Sequence, residues 1–170
     1  FKSYPKVLDE NETLFEQLSG AGYTTIGETS HFYFCDRVKY PDSCKPVVSW
    51  MASNITQGAT EWDNSGAENI PESNKDIAGP RTIEKANKKL EELAKSNTKF
   101  AMLVHLFEPH STYMTHAGRP ITESGTKSLE QKYDYEIEFM DGMVGKLLAQ
   151  LAATGLDKST RIVVLGDHGE

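Results

Sequence analysis

Apolar residues in this chain fall into short blocks that switch between two periods. Between Glu10 and Ala21, Leu14, Phe15 and Leu18 recur at helical spacing before Gly20 and Gly22, which predicts a helix with Asn11 as its N-cap. Tyr23 to Ile26 is aromatic and β-branched and predicts a short strand, closely followed by the aromatic cluster His31-Phe32-Tyr33-Phe34. From Cys35 to Gly79 no apolar period survives, and Pro41, Pro46, Gly58, Gly66, Pro71 and Gly79 punctuate the stretch. The span 41–79 therefore reads as an irregular insertion, tied to the body by packing of Trp50, Met51 and Trp62.

Order returns after Gly79-Pro80, a helix-entry signal. Ile83, Ala86, Leu90, Leu93 and Ala94 share one face of a helix predicted over Arg81 to Lys95, with Lys and Glu opposite. Phe100 to Phe107 is almost wholly apolar and too short for a favoured helix, so it predicts a strand buried on both faces, as in a parallel sheet. A loop from Glu108 to Ser124 leads to a long helix from Leu129 to Ala153, in which Tyr133, Ile137, Met140, Val144, Leu147, Leu148 and Leu151 follow helical spacing. Gly155 closes it, Asp157 to Thr160 turn, and Arg161 to Gly166 predicts a second buried strand ending at Asp167. This alternation is that of an α/β fold with a parallel sheet and right-handed crossovers. Ligands of such sheets gather beyond the carboxyl ends of the strands, which selects the loop after Phe107 and the pair Asp167-His168.

Composition narrows the class. At 170 residues, with 38% hydrophobic and 25% charged residues, the chain has the size and make-up of about one soluble globular domain. A net charge of −7 without a basic stripe argues against nucleic acid or anionic lipid as the main partner. The apolar run Ile162-Val163-Val164-Leu165 falls far below the roughly 20 residues that cross a bilayer. The sequence opens without Met or a signal segment and stops at Glu170, directly after a predicted strand, so it is expected to be an excised piece of a larger domain. Cut sheet edges and helix faces then favour self-association.

Asp167 and His168, flanked by Gly166 and Gly169, offer a carboxylate and an imidazole suited to zinc, manganese or related divalent ions; equally, Asp167 could cap a helix beginning at His168. Three of the five histidines, His105, His110 and His116, lie around the loop after Phe107. His105 sits within the apolar strand as a core residue and His116 reads as exposed, whereas His110, behind Pro109, is the better candidate for proton donation or oxyanion contact. Cys35 and Cys44 read equally well as a disulfide or as two thiols, and neither has the setting of a nucleophile. No P-loop and no G-x-G-x-x-G is present.

Four segments in order carry a resemblance: Thr13-Leu14-Phe15-Glu16-Gln17-Leu18-Ser19-Gly20-Ala21-Gly22-Tyr23-Thr24-Thr25; Val104-His105-Leu106-Phe107-Glu108-Pro109-His110-Ser111-Thr112-Tyr113; Tyr133-Asp134-Tyr135-Glu136-Ile137 with Asp141 and Gly145; and Val163-Val164-Leu165-Gly166-Asp167-His168-Gly169-Glu170. Together they resemble the sulfatase family of the alkaline-phosphatase-like superfamily. The resemblance implies a three-layer α/β/α sandwich around a mainly parallel sheet, present here as a partial domain over residues 1–170, and a metal-dependent hydrolase acting on sulfate esters. It implies Asp167 and His168 as metal ligands, His110 as the histidine that contacts the sulfate and assists the leaving oxygen, Tyr113 at the pocket mouth with His116 beside the substrate, and Asp141 as a structural acid.

The resemblance also implies calcium as the usual ion and a formylglycine nucleophile, made from Cys or Ser in a C/S-x-P-S-R segment, upstream of Phe1. No such segment occurs in these residues, so the piece alone is expected to be inactive. Ser111-Thr112 stands where the family more often has x-Pro before the aromatic. Gly-Asp-His-Gly-Glu is shared with phosphoethanolamine and phosphoglycerol transferases of the same superfamily, which use Thr and typically zinc or manganese; a non-catalytic binding module is a third reading. By the same analogy the partner is a small sulfated or phosphorylated substrate and the location is periplasmic or otherwise extracytoplasmic, with the parent protein attached to or exported across a membrane, a setting that favours a Cys35–Cys44 bridge.

Overall fold

The first helix starts later than its apolar spacing predicts. The structure, a computed structural model, describes residues 7–36, 39, 54–67, 74–110 and 112–169, and within it α1 runs Leu14–Gly20 with Thr13, not Asn11, as N-cap. Thr13 Oγ1 accepts the Glu16 N–H (3.2 Å) while Glu16 Oε2 accepts the Thr13 N–H (2.8 Å). This reciprocal box needs a carboxylate three residues past the cap. Asn11 has Leu14 at that place, and its own N–H turns back to the Leu8 carbonyl.

Three parallel strands follow: β1 Thr24–Glu28, β2 Glu61–Asp63 and β3 Phe100–Val104, in the order β2-β1-β3. β2 lies within the 41–79 span read as irregular; three residues are too few to establish a period, so only its pairing with β1 marks it as a strand. Trp62 is buried as expected and donates its indole N–H to the Phe34 carbonyl, whereas Trp50 and Met51 lie outside the described residues. Cys35 is disulfide-bonded, and Cys44, the other cysteine of the sequence, is also outside them.

Partners in register share a face of a parallel sheet, because side chains alternate along each strand. Gly27 pairs with Trp62 and Leu103. The Trp62 ring lies so close over Gly27 that a Cβ there would stand 2.2 Å from Cε3. Phe15 of α1 meets that ring edge-on, with centroids 6.5 Å apart, which puts α1 on this face. Ile26 and Glu28, with Glu61 and Asp63, point to the other face. There α2, Gly79–Ser96, supplies Lys85 to Asp63 (3.0 Å) and Lys89 to Glu61 (2.7 Å). Ile83, Ala86, Leu90 and Leu93 of α2 are buried, as their spacing predicts, and Ile26 completes this core. Helices thus cover both faces of the sheet. The long α3, Thr126–Ala153, packs along α2 and buries Glu136, Met143 and Leu151.

Two sequence expectations are corrected here. β3 ends at Val104, lies at an edge of the sheet among the described residues, and is half-buried rather than buried on both faces; Leu103 is 41% exposed because α1 lies over Trp62, across β1 from it. Residues 161–166 form no strand. Ile162 to Leu165 are 52–81% exposed, since no strand among the described residues pairs with them. An apolar run becomes a buried strand only where a neighbouring strand takes up its backbone groups.

Candidate active site at the carboxyl edge of the sheet

Each strand runs directly into polar residues at its carboxyl end. β1 continues into Thr29-Ser30-His31, β2 into Asn64 and β3 into His105. Asn64 Oδ1 ties two of these ends together by accepting from Thr29 Oγ1 (2.7 Å) and from the His31 N–H (3.1 Å). The His105 N–H donates to the Glu28 carbonyl (3.0 Å), extending the β1–β3 ladder by one residue.

His31 is fully buried. Its Nδ1 accepts the Tyr33 N–H (3.3 Å), so the ring proton of the neutral form sits on Nε2 and is donated to Asn74 Oδ1 (2.8 Å). Burial pushes this imidazole down to about 4; His105 and His110 act in the same direction, against the Asn74 hydrogen bond. The neutral ring stacks on Phe107 with centroids 3.7 Å apart, and Phe107 stacks on His110 at 4.5 Å. His105 lies against Phe34 at 4.3 Å, and burial lowers its pKa while the charge of Asp167 opposes.

The loop from β3 to α3 is held by two buried carboxylates. Glu108 Oε1 accepts the Gly79 N–H (2.9 Å) at the start of α2, where Ala78 brings no capping side chain. Gly79 has to be small here: a Cβ would lie 3.2 Å from Glu108 Oε1 and 3.3 Å from Met143 Cγ. Burial raises the Glu108 pKa, the Gly79 N–H opposes this, and the charges of Glu136 and Asp76 add to it. Glu136 Oε1 accepts the Met114 N–H (2.6 Å), and its Oε2 lies 3.2 Å from His116 Nε2, close enough for an ion pair but not aligned as a hydrogen bond.

Of the predicted site residues, His110 stands exposed at the carboxyl edge on the Phe107 ring. Tyr113 packs on Tyr133 of α3, with centroids 5.4 Å apart. His116 is not exposed as expected: its side chain is buried between Glu136 and Phe139, whose ring it stacks on at 4.3 Å. His105, read as a core residue, is half-buried, with its Nδ1 covered. Asp167 and His168 are both exposed, and no helix begins at His168 among the described residues. Instead Asp167 Oδ1 accepts the His168 N–H, the main cause that lowers its carboxyl pKa, while His168 Nδ1 bonds the Gly169 carbonyl (2.7 Å), leaving the lone pair of the neutral ring on Nε2.

The donor chemistry of this pair fits a divalent ion, but the donor count falls short. Among the described residues no group of three His, Cys, Asp or Glu side chains converges on a common point. His31 and Asn64 lie outside the motif segments, whereas Glu108 and Glu136 lie within them but have no role assigned by the motif reading. His31 had one available signal, its place just past a strand end.

In parallel α/β sheets ligands bind beyond the carboxyl ends of the strands, the edge at which this chain gathers imidazoles and carboxylates. The chain belongs to the sulfatase family, whose family model matches residues 2–170. No curated protein and no solved structure matches it. No helix among the described residues is long and apolar enough to cross a membrane.

Proposed function

We propose that the protein carrying these residues hydrolyses sulfate esters, with His110 giving a proton to the leaving oxygen as the S–O bond breaks. The observation that supports this most is the placement of His110, an exposed imidazole seated on Phe107 at the ligand-binding edge of a sulfatase-family sheet. Tyr113, on the same loop, shapes the pocket mouth. Asp167 and His168 contribute two ligands to a divalent ion, calcium in this reading, whose remaining ligands come from outside the described residues. Such an ion offsets the negative charge of the sulfate oxygens. The Cys35 disulfide supports an extracytoplasmic location.

The nucleophile is not among these 170 residues, which contain no C/S-x-P-S-R segment, so the chain by itself is expected to release no sulfate. Sulfate release from an aryl sulfate by the full-length protein tests the reading. His110→Ala should lower kcat by about 10²- to 10⁴-fold, the usual worth of a positioned proton donor. Unchanged turnover in that variant would remove His110 from the role, and turnover by the isolated 170-residue chain that His110→Ala abolishes would overturn the expectation that the chain alone is inactive. Calcium binding that survives Asp167→Ala would remove the metal assignment. Zinc- or manganese-dependent transfer of a phospholipid headgroup, without sulfate release, would favour the transferase reading, which the imidazole nitrogen of His168 suits.

A further inference from the structure

The loop that presents His110 is anchored to α3 at three successive positions spaced by three residues. Tyr133 carries the ring of Tyr113, Glu136 holds Met114 and His116, and Phe139 stacks on the ring of His116. Glu136 is the polar member of this row, and it is 1% exposed. A carboxylate is a costly residue to bury on a helix face whose other buried members are Met143 and Leu151. Packing alone would be served by an aliphatic side chain. What a carboxylate adds is a directional acceptor: Oε1 takes the Met114 N–H at 2.6 Å, which fixes the backbone, and not just a side chain, in the stretch that follows His110.

The other end of that stretch is fixed by Glu108 through the Gly79 N–H, so His110 lies between two backbone-directed carboxylate anchors. Ring stacking on Phe107 then sets the imidazole plane. Stacking constrains the plane but tolerates sliding, whereas a short hydrogen bond from the neighbouring backbone fixes translation. We infer that Glu136 is the positioning residue for His110: through the Met114 N–H and His116 it holds the post-β3 loop at the height on α3 that presents the imidazole at the sheet edge. It acts through the loop and touches no substrate. The inference rests on the proposed function only for its catalytic consequence.

Three proteins separate the outcomes: wild type, Glu136→Gln, which keeps the carbonyl acceptor for Met114, and Glu136→Leu, which keeps the volume and removes it. In the full-length protein, amide exchange of Met114 and the ring signals of His110 are followed by NMR, with Ile83 and Leu90 amides as a control for the α2 core. Glu136→Leu should speed Met114 exchange by at least about tenfold, as loss of a hydrogen bond to a charged group predicts. It should also shift the His110 ring signals while the α2 amides stay protected, and Glu136→Gln should retain the wild-type pattern. Unchanged Met114 and His110 signals in Glu136→Leu, or equal disturbance in Glu136→Gln, would overturn the inference.

The full-length protein supplies the catalytic readout. Glu136→Leu should reduce kcat by about tenfold or more for a sulfate ester with a poor leaving group and less for an activated aryl sulfate, with KM changed by less than about twofold, because only the former needs a well-placed proton donor. Equal losses on both esters would reduce Glu136 to a structural role. Absence of sulfate release from wild type would instead defeat the proposed function, leaving the NMR comparison to judge Glu136.

Discussion

Replacing the carboxyl of Glu28 should stabilise the protein at and above neutral pH and do little in acid. The side chain is 4% exposed at the end of β1, and its Oε2 has no hydrogen-bond partner. Burial is the main cause that lifts its pKa from 4.5 to about 7; Asp63 and Glu61 push the same way, and Lys85 and Lys89 of α2 oppose them. The folded state therefore binds the Glu28 proton more tightly than the unfolded chain does. Between pH 4.5 and about 7 it carries the extra proton, so stability falls as pH rises through that window. A tenfold change in an acidity constant corresponds to about 1.4 kcal/mol, so the ionised carboxylate costs about 3 kcal/mol once the pH is well above 7. Glu28→Gln keeps the shape and removes the charge. Urea unfolding of both proteins from about pH 5 to about pH 8 should show the variant gaining about 2–3 kcal/mol on wild type across the range, from a difference under about 1 kcal/mol at the acid end. Groups that titrate in both proteins cancel in this comparison. A difference that stays flat within about 0.5 kcal/mol would refute the reasoning, and would mean that Lys85 and Lys89 compensate the carboxylate fully where it lies.

His31 supplies the opposite sign: burial depresses its pKa from 6.5 to about 4, so the stability tied to its neutral ring is complete above 6.5 and is lost, to about 3 kcal/mol, as pH falls toward 4. Its ring signals should still be those of neutral imidazole at about pH 5 in an NMR titration; a midpoint near the ordinary histidine value would contradict the packing against Phe107 and Asn74. Gly27→Ala should destabilise by about 1–3 kcal/mol or more, because the new methyl enters the space of the Trp62 ring, and Trp62 emission should shift to the red. An unaltered melting temperature with unaltered emission would show that the ring moves aside freely.

The parts of the fold legible in the sequence are those whose cause is local. α2 is an example: Pro80 starts it, Ile83, Ala86, Leu90 and Leu93 stripe it, and the residues that make the pattern also make the helix. β1 and β3 were recognisable from their apolar and β-branched runs, although β3 extends less far than its composition suggests. α1 kept its core but moved its cap, because the capping box depends on which residue has Glu16 three places on. Residues 161–166 failed for a physical reason: a strand is a relation between two chain segments, and apolar sequence provides only one of them. β2 is the converse case, a strand with almost no signal of its own that exists because β1 lies beside it.

The candidate site divides along the same line. The sequence by itself determined the sulfatase-family membership and the parallel α/β class, and it nominated His110 and Asp167-His168 as candidates through motif order and the rule that ligands meet strand ends. Only the tertiary structure decided how that chemistry is supported. It stacked His31, Phe107 and His110 from two strand ends, sent Glu108 to the Gly79 N–H 29 residues back in the chain, and brought Glu136 to Met114 from a helix 22 residues on. It also buried His116 against α3, where the sequence read it as exposed. A buried charge or a stacked ring has no local period to betray it, because its partner is chosen by the packing of distant segments; the sequence names the groups, and the fold decides which of them meet.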